Sequence, residues 1–394
     1  MRYSRHVLML LALLGLIATG SAVAATTGGK RTIASPIVFG MATPLSGPLT
    51  FNGTQEMDGA KLAVAQLNAK GGVLGRQINL QVEDDACSPT QAITAGNKLI
   101  GLHPSVIFGF HCSSATLAGM PLVARAQIPL INSISTNPSI AGQSGVGGNK
   151  WVFTLTPTDA TFATALVRFF KLQKVQSIAI VAENTDYGRG GAEAMRVRTK
   201  AFGMSVTSVN YYTQGTSDFS SLLAGIKSQH PNRVAFWGLG ADDANFARQF
   251  AQTFPRGSGT LLSGRPELSG PDTPIVQTGA LDQATSVSQY DYHINTPANR
   301  AFVAAVQKAY GTTPVIQTFE GYQEVMLAAA AVKQAKSASP AAIRKALTTI
   351  KFQSMLAPPK KATLHFDRYQ QAHDRAAISV VRGNKVVLQA LIST

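Results

Sequence analysis

The sequence predicts an α/β protein built from two doubly wound parallel sheets. Short apolar segments alternate with amphipathic segments along most of the chain, a pattern typical of parallel strands joined by helices. The length of 394 residues is enough for more than one domain. Glycines at 142, 145, 147 and 148 predict a flexible break, so we expect one sheet before it and a second sheet after it.

The elements follow from hydrophobic periodicity and from residues that end helices. Before the break, strands are predicted over 36–41, 77–83, 105–109 and 128–132, and helices over 55–69, 89–102 and 113–126. Residues 43–54 contain Pro, Gly, Ser and Asn and predict a loop. After the break, strands are predicted over 177–182, 205–212, 233–237 and 260–263, and helices over 161–172, 190–202, 218–228 and 243–253.

The last third of the chain is too short for another domain of the same kind. It predicts a strand over 285–289, helices over 297–310, 317–336 and 340–349, and a hairpin of 376–382 with 385–391 around Gly383-Asn384. We therefore expect it to complete both halves. Lobe 1 is predicted to contain 36–154 and 290–366, and lobe 2 to contain 155–289 and 367–394.

The N-terminus has the three parts of a cleavable export signal. Arg2, Arg5 and His6 precede an apolar run, and Ala22-Val23-Ala24 is a typical cleavage pattern. The run is too short to span a bilayer, which makes a membrane anchor the weaker alternative. We expect cleavage after Ala24, a lead-in over 25–35 and a location outside the cytoplasm. The removed segment carries two basic residues and no acidic one, so the net charge falls from +15 to +13.

Composition and motifs exclude several classes of protein. The basic residues are scattered, so nucleic acid is not an expected partner despite the positive charge. Residues 142–150 lack the ending of a phosphate loop and predict a surface turn. The sequence contains no G-x-S-x-G elbow and no H-E-x-x-H zinc motif, and we expect no catalytic residue, metal or cofactor. Residues 83–85 are acidic. A calcium site is one interpretation and a solvated strand end the favoured one.

The two cysteines, Cys87 and Cys112, are the only ones in the chain. In an exported protein a disulfide is the default expectation, and a free thiol activated by His111 is the alternative. Phe236 and Trp237 end a predicted strand, where they either flank a ligand or pack in the core.

Small polar residues follow several predicted strands, at the edge where open α/β sheets bind ligands. Ser113 and Thr136 lie just before or within likely helix starts, where hydroxyl and backbone N–H groups suit a carboxylate. Helix capping needs the same residue types and remains the alternative for each position.

Several segments resemble the leucine/isoleucine/valine-binding proteins, the exported solute receptors of ABC transporters with the type I periplasmic-binding fold. These segments are 43–53 (TPLSGPLTFNG), 68–80 (NAKGGVLGRQINL), 83–87 (EDDAC), 112–114, 135–138, 186–188 and 218–220. The resemblance implies two Rossmann-like lobes joined by three crossovers, with hinge closure on a small ligand. It also implies a Cys87–Cys112 disulfide.

The resemblance further implies the role of each binding residue. Ser113, Ser135 and Thr136 are expected to hold a ligand carboxylate, Tyr187 to close over it, and Glu267 to pair with an ammonium group.

Three positions depart from the branched-chain pattern. Asn52 stands where an aromatic residue is usual, Gly240 replaces a tyrosine and Gln317 a phenylalanine. A larger or more polar ligand than an aliphatic amino acid is therefore expected.

The sequence thus predicts a monomeric solute-binding receptor that delivers a small carboxylate-bearing ligand, an amino acid first, to an inner-membrane ABC permease. The same fold binding an amide, a urea-like compound or an aromatic carboxylate is the alternative. An exported enzyme and a sensor protein that docks to a separate receptor are weaker ones.

Overall fold

A computed structural model describes residues 35–265, 274–357 and 363–393. The signal peptide predicted over 1–24 lies outside these residues. In the described ranges, no helix is both long enough and apolar enough to cross a membrane.

The chain begins with alternating strands and helices, as the sequence predicts. The elements are β1 (Ile37–Thr43), α1 (Thr50–Ala69), β2 (Ile78–Asp84), α2 (Pro89–Gly101), β3 (Val106–Gly109), α3 (Ser113–Ala126), β4 (Leu130–Asn132), α4 (Pro138–Gly142) and β5 (Val152–Thr154). A 3₁₀ turn covers Gly145–Gly147. All five strands are parallel, in the order β2-β1-β3-β4-β5.

The second series has the same alternation. It consists of α5 (Asp159–Leu172), β6 (Ser177–Glu183), α6 (Asp186–Ala201), β7 (Ser205–Tyr212), α7 (Ser220–Lys227), β8 (Arg233–Trp237), α8 (Ala241–Thr253), β9 (Leu261–Gly264), α9 (Pro274–Gln277) and β10 (Thr285–Ser288). The remaining elements are α10 (Pro297–Tyr310), α11 (Ile316–Ala335), α12 (Pro340–Leu347), β11 (Phe352–Gln353), β12 (Thr363–Leu364), β13 (Arg375–Arg382) and β14 (Lys385–Ser393).

The second sheet has seven strands in the order β14-β13-β10-β9-β8-β6-β7. Its β6 to β10 are parallel, and the C-terminal hairpin β13–β14 is added antiparallel to β10. The prediction of an α/β fold with two mostly parallel sheets is thereby confirmed. Below, the first lobe is the five-stranded sheet with its packed helices, and the second lobe is the seven-stranded sheet with its own.

Helices α10 to α12 return to the core of the first lobe, where their apolar residues join those of β1, β3 and α1. Helix α11 lies directly against α1. A Cβ atom on Gly59 would come within 1.9 Å of the Thr318 carbonyl oxygen, and one on Gly321 within 2.0 Å of the Glu56 carbonyl oxygen. Only glycine permits this close approach at either position. The approach brings the polar faces of the two helices together.

Two predictions about local structure were wrong, and one strand was missed. The first helix begins at Thr50, so the predicted loop 43–54 is too long by one helical turn. The segment around the glycines is held by backbone hydrogen bonds and is not a flexible break. The Gly147 N–H donates to the Ser144 carbonyl at 2.8 Å, and the Val146 N–H donates to the Arg368 carbonyl at 3.0 Å. Strand β5 was missed because three residues are too few to show a period.

Candidate ligand-binding site

A cleft between the two lobes is the candidate site. Its walls lie close together and leave a cavity of about 30 Å³ between them. The first lobe contributes His111, Cys112, Ser113, Ile134, Ser135, Ile316, Gln317 and Glu320, and the second lobe contributes Tyr187, Leu239 and Arg265. Most of these residues follow the carboxyl ends of β3, β4, β6, β8 and β9. Those ends face one another because both sheets are parallel there, which is where open α/β sheets bind ligands.

Ser113 is the first residue of α3 and lies on the cleft wall. Its Oγ accepts a hydrogen bond of 3.4 Å from the Asn137 backbone N–H. The preceding residue, Cys112, forms the disulfide with Cys87, so the predicted pairing is confirmed and neither thiol is free. The bond ties the start of α3 to the segment that follows β2.

Ser135 and Thr136 use their hydroxyl groups inside the protein. The Ser135 Oγ lies 2.9 Å from the Phe110 carbonyl oxygen and 3.0 Å from that of His111, and its one proton can be donated to either of them. It also lies 2.6 Å from Oγ1 of Thr116. Thr136 does not appear on the cleft wall, and its hydroxyl donates to Oδ1 of Asp159 at 2.8 Å. Of the three residues expected to bind a carboxylate, Ser113 and Ser135 therefore line the cleft and Thr136 does not.

Tyr187 lines the cleft from the start of α6 in the second lobe, and Gln317 lines it from the start of α11 in the first. Both are more than nine-tenths buried, at 6% exposure each. Glu267, the expected partner of an ammonium group, lies outside the described residues.

Asn52 and Gly240 are not on the cleft wall. Asn52 is buried in α1. Gly240 has φ +66°, and a Cβ there would lie 2.7 Å from Cδ2 of Leu49. The glycine therefore lets the second lobe approach the first beside the cleft.

Arg265 is a cleft residue that the sequence analysis missed. It directly follows β9 and is only 6% exposed. Its guanidinium carbon lies 4.0 Å from the centre of the Phe162 ring, a cation–π distance. Its charge also lowers the pKa of Asp159, against the burial that raises that pKa. Its position just after a buried strand could have identified it, because ligands of open α/β sheets bind beyond the carboxyl ends of the strands.

Phe236 and Trp237 are fully buried and do not line the cleft. Phe236 stacks on Phe246 at 4.1 Å between ring centres. The Trp237 indole donates to Oδ1 of Asp159 at 3.0 Å. Of the two interpretations offered by the sequence, core packing agrees with these contacts.

A buried acidic network lies behind the first-lobe wall. Oε2 of Glu56 accepts a hydrogen bond of 2.6 Å from the Thr43 hydroxyl and lies 2.8 Å from Nδ1 of His111. Asp85 accepts from the backbone N–H groups of Cys87 at 2.9 Å and His111 at 3.3 Å. Burial raises the pKa of Asp85 to about 6, although these two hydrogen bonds and the His111 charge oppose the rise.

The favoured interpretation of the acidic segment 83–85, a solvated strand end, was wrong for Asp85, while Glu83 and Asp84 are partly exposed. Asp85 is fully buried, as above. Asp84 accepts from the backbone N–H groups of Leu45 and Ala86, both at 2.8 Å, and Glu83 pairs with Lys98 at 3.0 Å. These carboxylates close the loops that follow β1 and β2.

Glu320 brings a carboxylate to the cleft itself. It is 2% exposed on α11, and the Gln289 side-chain amide donates to its Oε1. One turn further along, Glu324 accepts a hydrogen bond of 2.6 Å from the Ser133 hydroxyl. Burial and the charges of Glu56 and Glu320 raise the pKa of Glu324 well above its usual range. The carboxyl group of Glu320 thus lies on the first-lobe wall, and the guanidinium of Arg265 lies on the second-lobe wall.

The family model for periplasmic binding proteins matches residues 36–382. The chain belongs to this family. The resemblance found in the sequence is confirmed. The match spans the first sheet, all but the last strand of the second sheet and all the described cleft residues.

A curated relative is similar over part of the chain. The Leu/Ile/Val/Thr-binding protein of Salmonella typhimurium is 31% identical over 218 residues, which are 55% of this chain and 58% of that protein. The chain thus aligns with little more than half of that relative.

Two solved structures have the same fold. A leucine binding protein from Thermotoga maritima has a TM-score of 0.80 at 21% identity and covers 90% of this chain and 98% of its own. A solute binding protein from R. palustris, in complex with benzoate, has a TM-score of 0.80 at 20% identity and covers 91% and 97%.

Proposed function

We propose that the protein is the exported solute-binding receptor of an ABC importer. It captures a small carboxylate-bearing ligand, first of all an amino acid, by closing its two lobes around the cleft. The observation that carries this proposal is the cleft itself, where a hydroxyl, a guanidinium and a carboxylate converge between two parallel sheets. Concave sites with a few convergent polar groups are typical of small-molecule binding.

The related proteins support the class of ligand. The Salmonella relative is a Leu/Ile/Val/Thr-binding protein, and the R. palustris structure holds benzoate. Both kinds of compound carry a carboxylate. An aromatic carboxylate is therefore the second candidate, and the buried cation Arg265 on the wall suits it equally well.

We also propose the cellular setting and the lobe boundaries predicted from the sequence. The signal peptide directs the chain to the periplasm, where it works as a monomer with an inner-membrane ABC permease. The boundaries at 154/155, 289/290 and 366/367 define three crossovers, and every strand of the two large sheets falls within its predicted lobe. The protein binds its ligand without chemical change.

Thermal unfolding of the mature chain against a ligand panel tests the proposal. The protein is first unfolded and refolded to remove any co-purified ligand. The panel contains the amino acids, simple amides, urea and aromatic carboxylates. A ligand at 100 times its Kd adds about 2.7 kcal/mol to the unfolding free energy, a shift that is easily measured. A shift with no member of the panel would contradict the proposed ligand class, and turnover of a bound ligand would contradict the binding role.

Glu267 remains a prediction as the partner of an ammonium group. Glu267→Gln is expected to weaken amino-acid binding by at least about 2 kcal/mol, the cost of losing a charged partner in a buried site. Equal dissociation constants for the two proteins would remove that role.

A further inference from the structure

His111 is a residue of the first-lobe wall with a side chain that is held from inside the protein. It lies two residues after β3 and two positions before Ser113. Its backbone is fixed on both sides, since its N–H donates to Asp85 at 3.3 Å and its carbonyl oxygen lies 3.0 Å from Oγ of Ser135. The ring is only 2% exposed, so it meets solvent or a ligand only where it borders the cleft.

A buried carboxylate fixes the orientation of this ring. Nδ1 of His111 lies 2.8 Å from Oε2 of Glu56, whose side chain is fully buried. The same oxygen accepts a hydrogen bond of 2.6 Å from the Thr43 hydroxyl. An ionised carboxylate only accepts hydrogen bonds, so the hydrogen atom of the ring contact lies on Nδ1. The two nitrogens of an imidazole point in different directions, and Nε2 is therefore turned away from Glu56.

The second ring nitrogen has no partner in the part of the chain that the structure describes. There, hydrogen bonds involve Nδ1 and both backbone groups of His111 but not Nε2. The neighbouring hydroxyl of Ser113 accepts from the Asn137 N–H and donates to none of the described residues. The first-lobe wall thus offers a ring nitrogen and a hydroxyl proton to a ligand.

The charges around His111 decide which ligand group Nε2 suits. The ionisable groups of the elements around the ring are Glu56 of α1, Asp85 after β2, Glu320 and Glu324 of α11, and Tyr187 and Arg265 of the second-lobe wall. Within the described ranges, His111 is the only basic side chain that pairs with Glu56. Burial raises the pKa of Asp85, and the positive charge of His111 lowers it. In a protonated ring both nitrogens donate, so Nε2–H is a charged donor that suits an anionic oxygen.

We propose that His111 binds the ligand carboxylate through Nε2–H, beside the Ser113 hydroxyl, and that Glu56 is the positioning residue that holds the ring at Nδ1. The inference rests on the proposed receptor function and deepens it. It favours carboxylates over the amides and urea-like compounds that the sequence left open. It also gives the carboxylate a first-lobe partner in place of Thr136, whose hydroxyl donates to Asp159.

Matched acids and amides test the proposal, because a general loss of folding cancels in the ratio of their affinities. The probes are 4-methylpentanoate with its amide, benzoate with benzamide, and leucine. Calorimetry from pH 6 to 9 gives their dissociation constants for the natural protein, His111→Gln and Glu56→Gln. His103→Gln is the control, since this histidine is an exposed residue of the same lobe. Circular dichroism of the unliganded variants checks that each folds.

At pH 6, His111→Gln is expected to lower the acid-to-amide ratio by about ten- to a hundredfold, because it removes a hydrogen bond from a charged donor. In the natural protein the ratio should fall as the pH rises and the ring loses its proton, whereas His111→Gln should show no such fall. Glu56→Gln should move the fall to lower pH, because the carboxylate that favours the protonated ring is gone. His103→Gln should match the natural protein.

A second measurement does not depend on the folding of any variant. In the natural protein with ¹⁵N-labelled histidine, the ring signals of His111 are identified by nuclear Overhauser contacts with Thr43. Addition of 4-methylpentanoate or benzoate should shift the Nε2 signal, while the matching amides should shift it much less. An Nε2 signal that does not respond to a bound acid would overturn the contact.

The failures are distinguishable. If the natural protein binds the acids and His111→Gln keeps the acid-to-amide ratio, or the ratio is constant from pH 6 to 9, the role of His111 is overturned and the receptor function stands. If Glu56→Gln leaves the pH dependence unchanged, its positioning role is overturned. If leucine alone binds, its own pH profiles in the natural protein and His111→Gln decide in the same way. Binding of the amides without any acid would overturn the carboxylate contact while a receptor role survives, and binding of no probe would overturn both proposals.

Discussion

The Thr136 hydroxyl donates a hydrogen bond of 2.8 Å to Oδ1 of Asp159, and the Asp159 N–H donates back to the Thr136 carbonyl at 2.8 Å. The pair joins the segment after β4 in the first lobe to the start of α5 in the second. Thr136 thus acts where the chain crosses between lobes, whereas the sequence placed it against the ligand.

Thr136→Val tests this assignment. The variant keeps the side-chain volume but removes the donor to a fully buried carboxylate, so we expect a loss of about 1–3 kcal/mol in unfolding free energy. Ligand affinity should change less than threefold. Urea unfolding and calorimetry measure the two quantities, and Thr90→Val on the exposed first turn of α2 is the control. A loss of affinity specific to carboxylates, with unchanged stability, would instead support the contact predicted from the sequence.

Gly190 lies where the second lobe approaches the first, so a substitution there tests whether this approach is needed for ligand binding. A Cβ there would lie 2.7 Å from the Asn137 side-chain nitrogen, and the three nearest atoms all belong to the first lobe. Gly190→Ala should therefore hinder closure and weaken ligand binding about five- to a hundredfold, as expected for overpacking by 1–3 kcal/mol.

This substitution should not reduce the stability of the second lobe, because alanine is more favourable than glycine in a helix by about 1 kcal/mol. Gly225→Ala is the matched control, because a Cβ there meets no atom within 4 Å and the residue also lies in a second-lobe helix. Equal ligand affinity in the two variants would contradict a role for Gly190 in closure.

The disulfide should contribute to stability and to the site. Cys87 and Cys112 are separated by 25 positions, for which loop-closure entropy predicts about 3 kcal/mol. The double variant Cys87→Ser, Cys112→Ser is expected to unfold at a lower guanidinium concentration and to bind ligand more weakly, since Cys112 precedes Ser113 on the wall. A reductant should shift the natural protein toward the variant and leave the variant unchanged. Coincident unfolding curves would rule out a stabilising role.

Asp85 predicts a pH dependence of stability. Its pKa is about 6 in the folded protein, above the reference value of 3.8, so the folded state binds more protons between these values. The stabilisation from the protonated carboxyl is complete below the reference value. It is lost as the pH rises through about 6, a change of about 3 kcal/mol.

Asp85→Asn isolates this contribution. The variant keeps only one acceptor for the two backbone N–H groups, so it should be less stable than the natural protein at pH 4. The difference should shrink as the pH rises to 7, where the natural protein carries a buried charge. Guanidinium unfolding at pH 4, 5, 6 and 7 measures it, and a difference that is constant over this range would disprove the assignment.

The sequence predicts the order of elements because hydrophobic periodicity is local. Strand β8, for example, has the predicted bounds, and all of its residues are buried. The start of α1 was missed because Asn52 and Gly53 resemble a loop, although Gly53 is required there by the Pro44 carbonyl, 2.0 Å from where its Cβ would lie.

The charges of the cleft could not be predicted in the same way. Glu56 and Glu324 come together only because α1 and α11 pack at glycine contacts, and more than half the chain separates them. Nothing local distinguishes these residues from exposed helix acids. The proximity of these two carboxyl groups therefore depends on the packing of distant segments, which sequence motifs do not predict.

The C-terminal hairpin has a consequence for the order of assembly. Thr285 of β10 pairs with Val380 of β13. Strand β10 therefore lacks a partner on this side until β13 has been synthesised. The first sheet depends on no strand beyond β5, although its helices come later. Pairings of such long sequence separation form slowly. Until then the backbone N–H and C=O groups on that side of β10 have no strand partner, and such an exposed edge can pair with another chain.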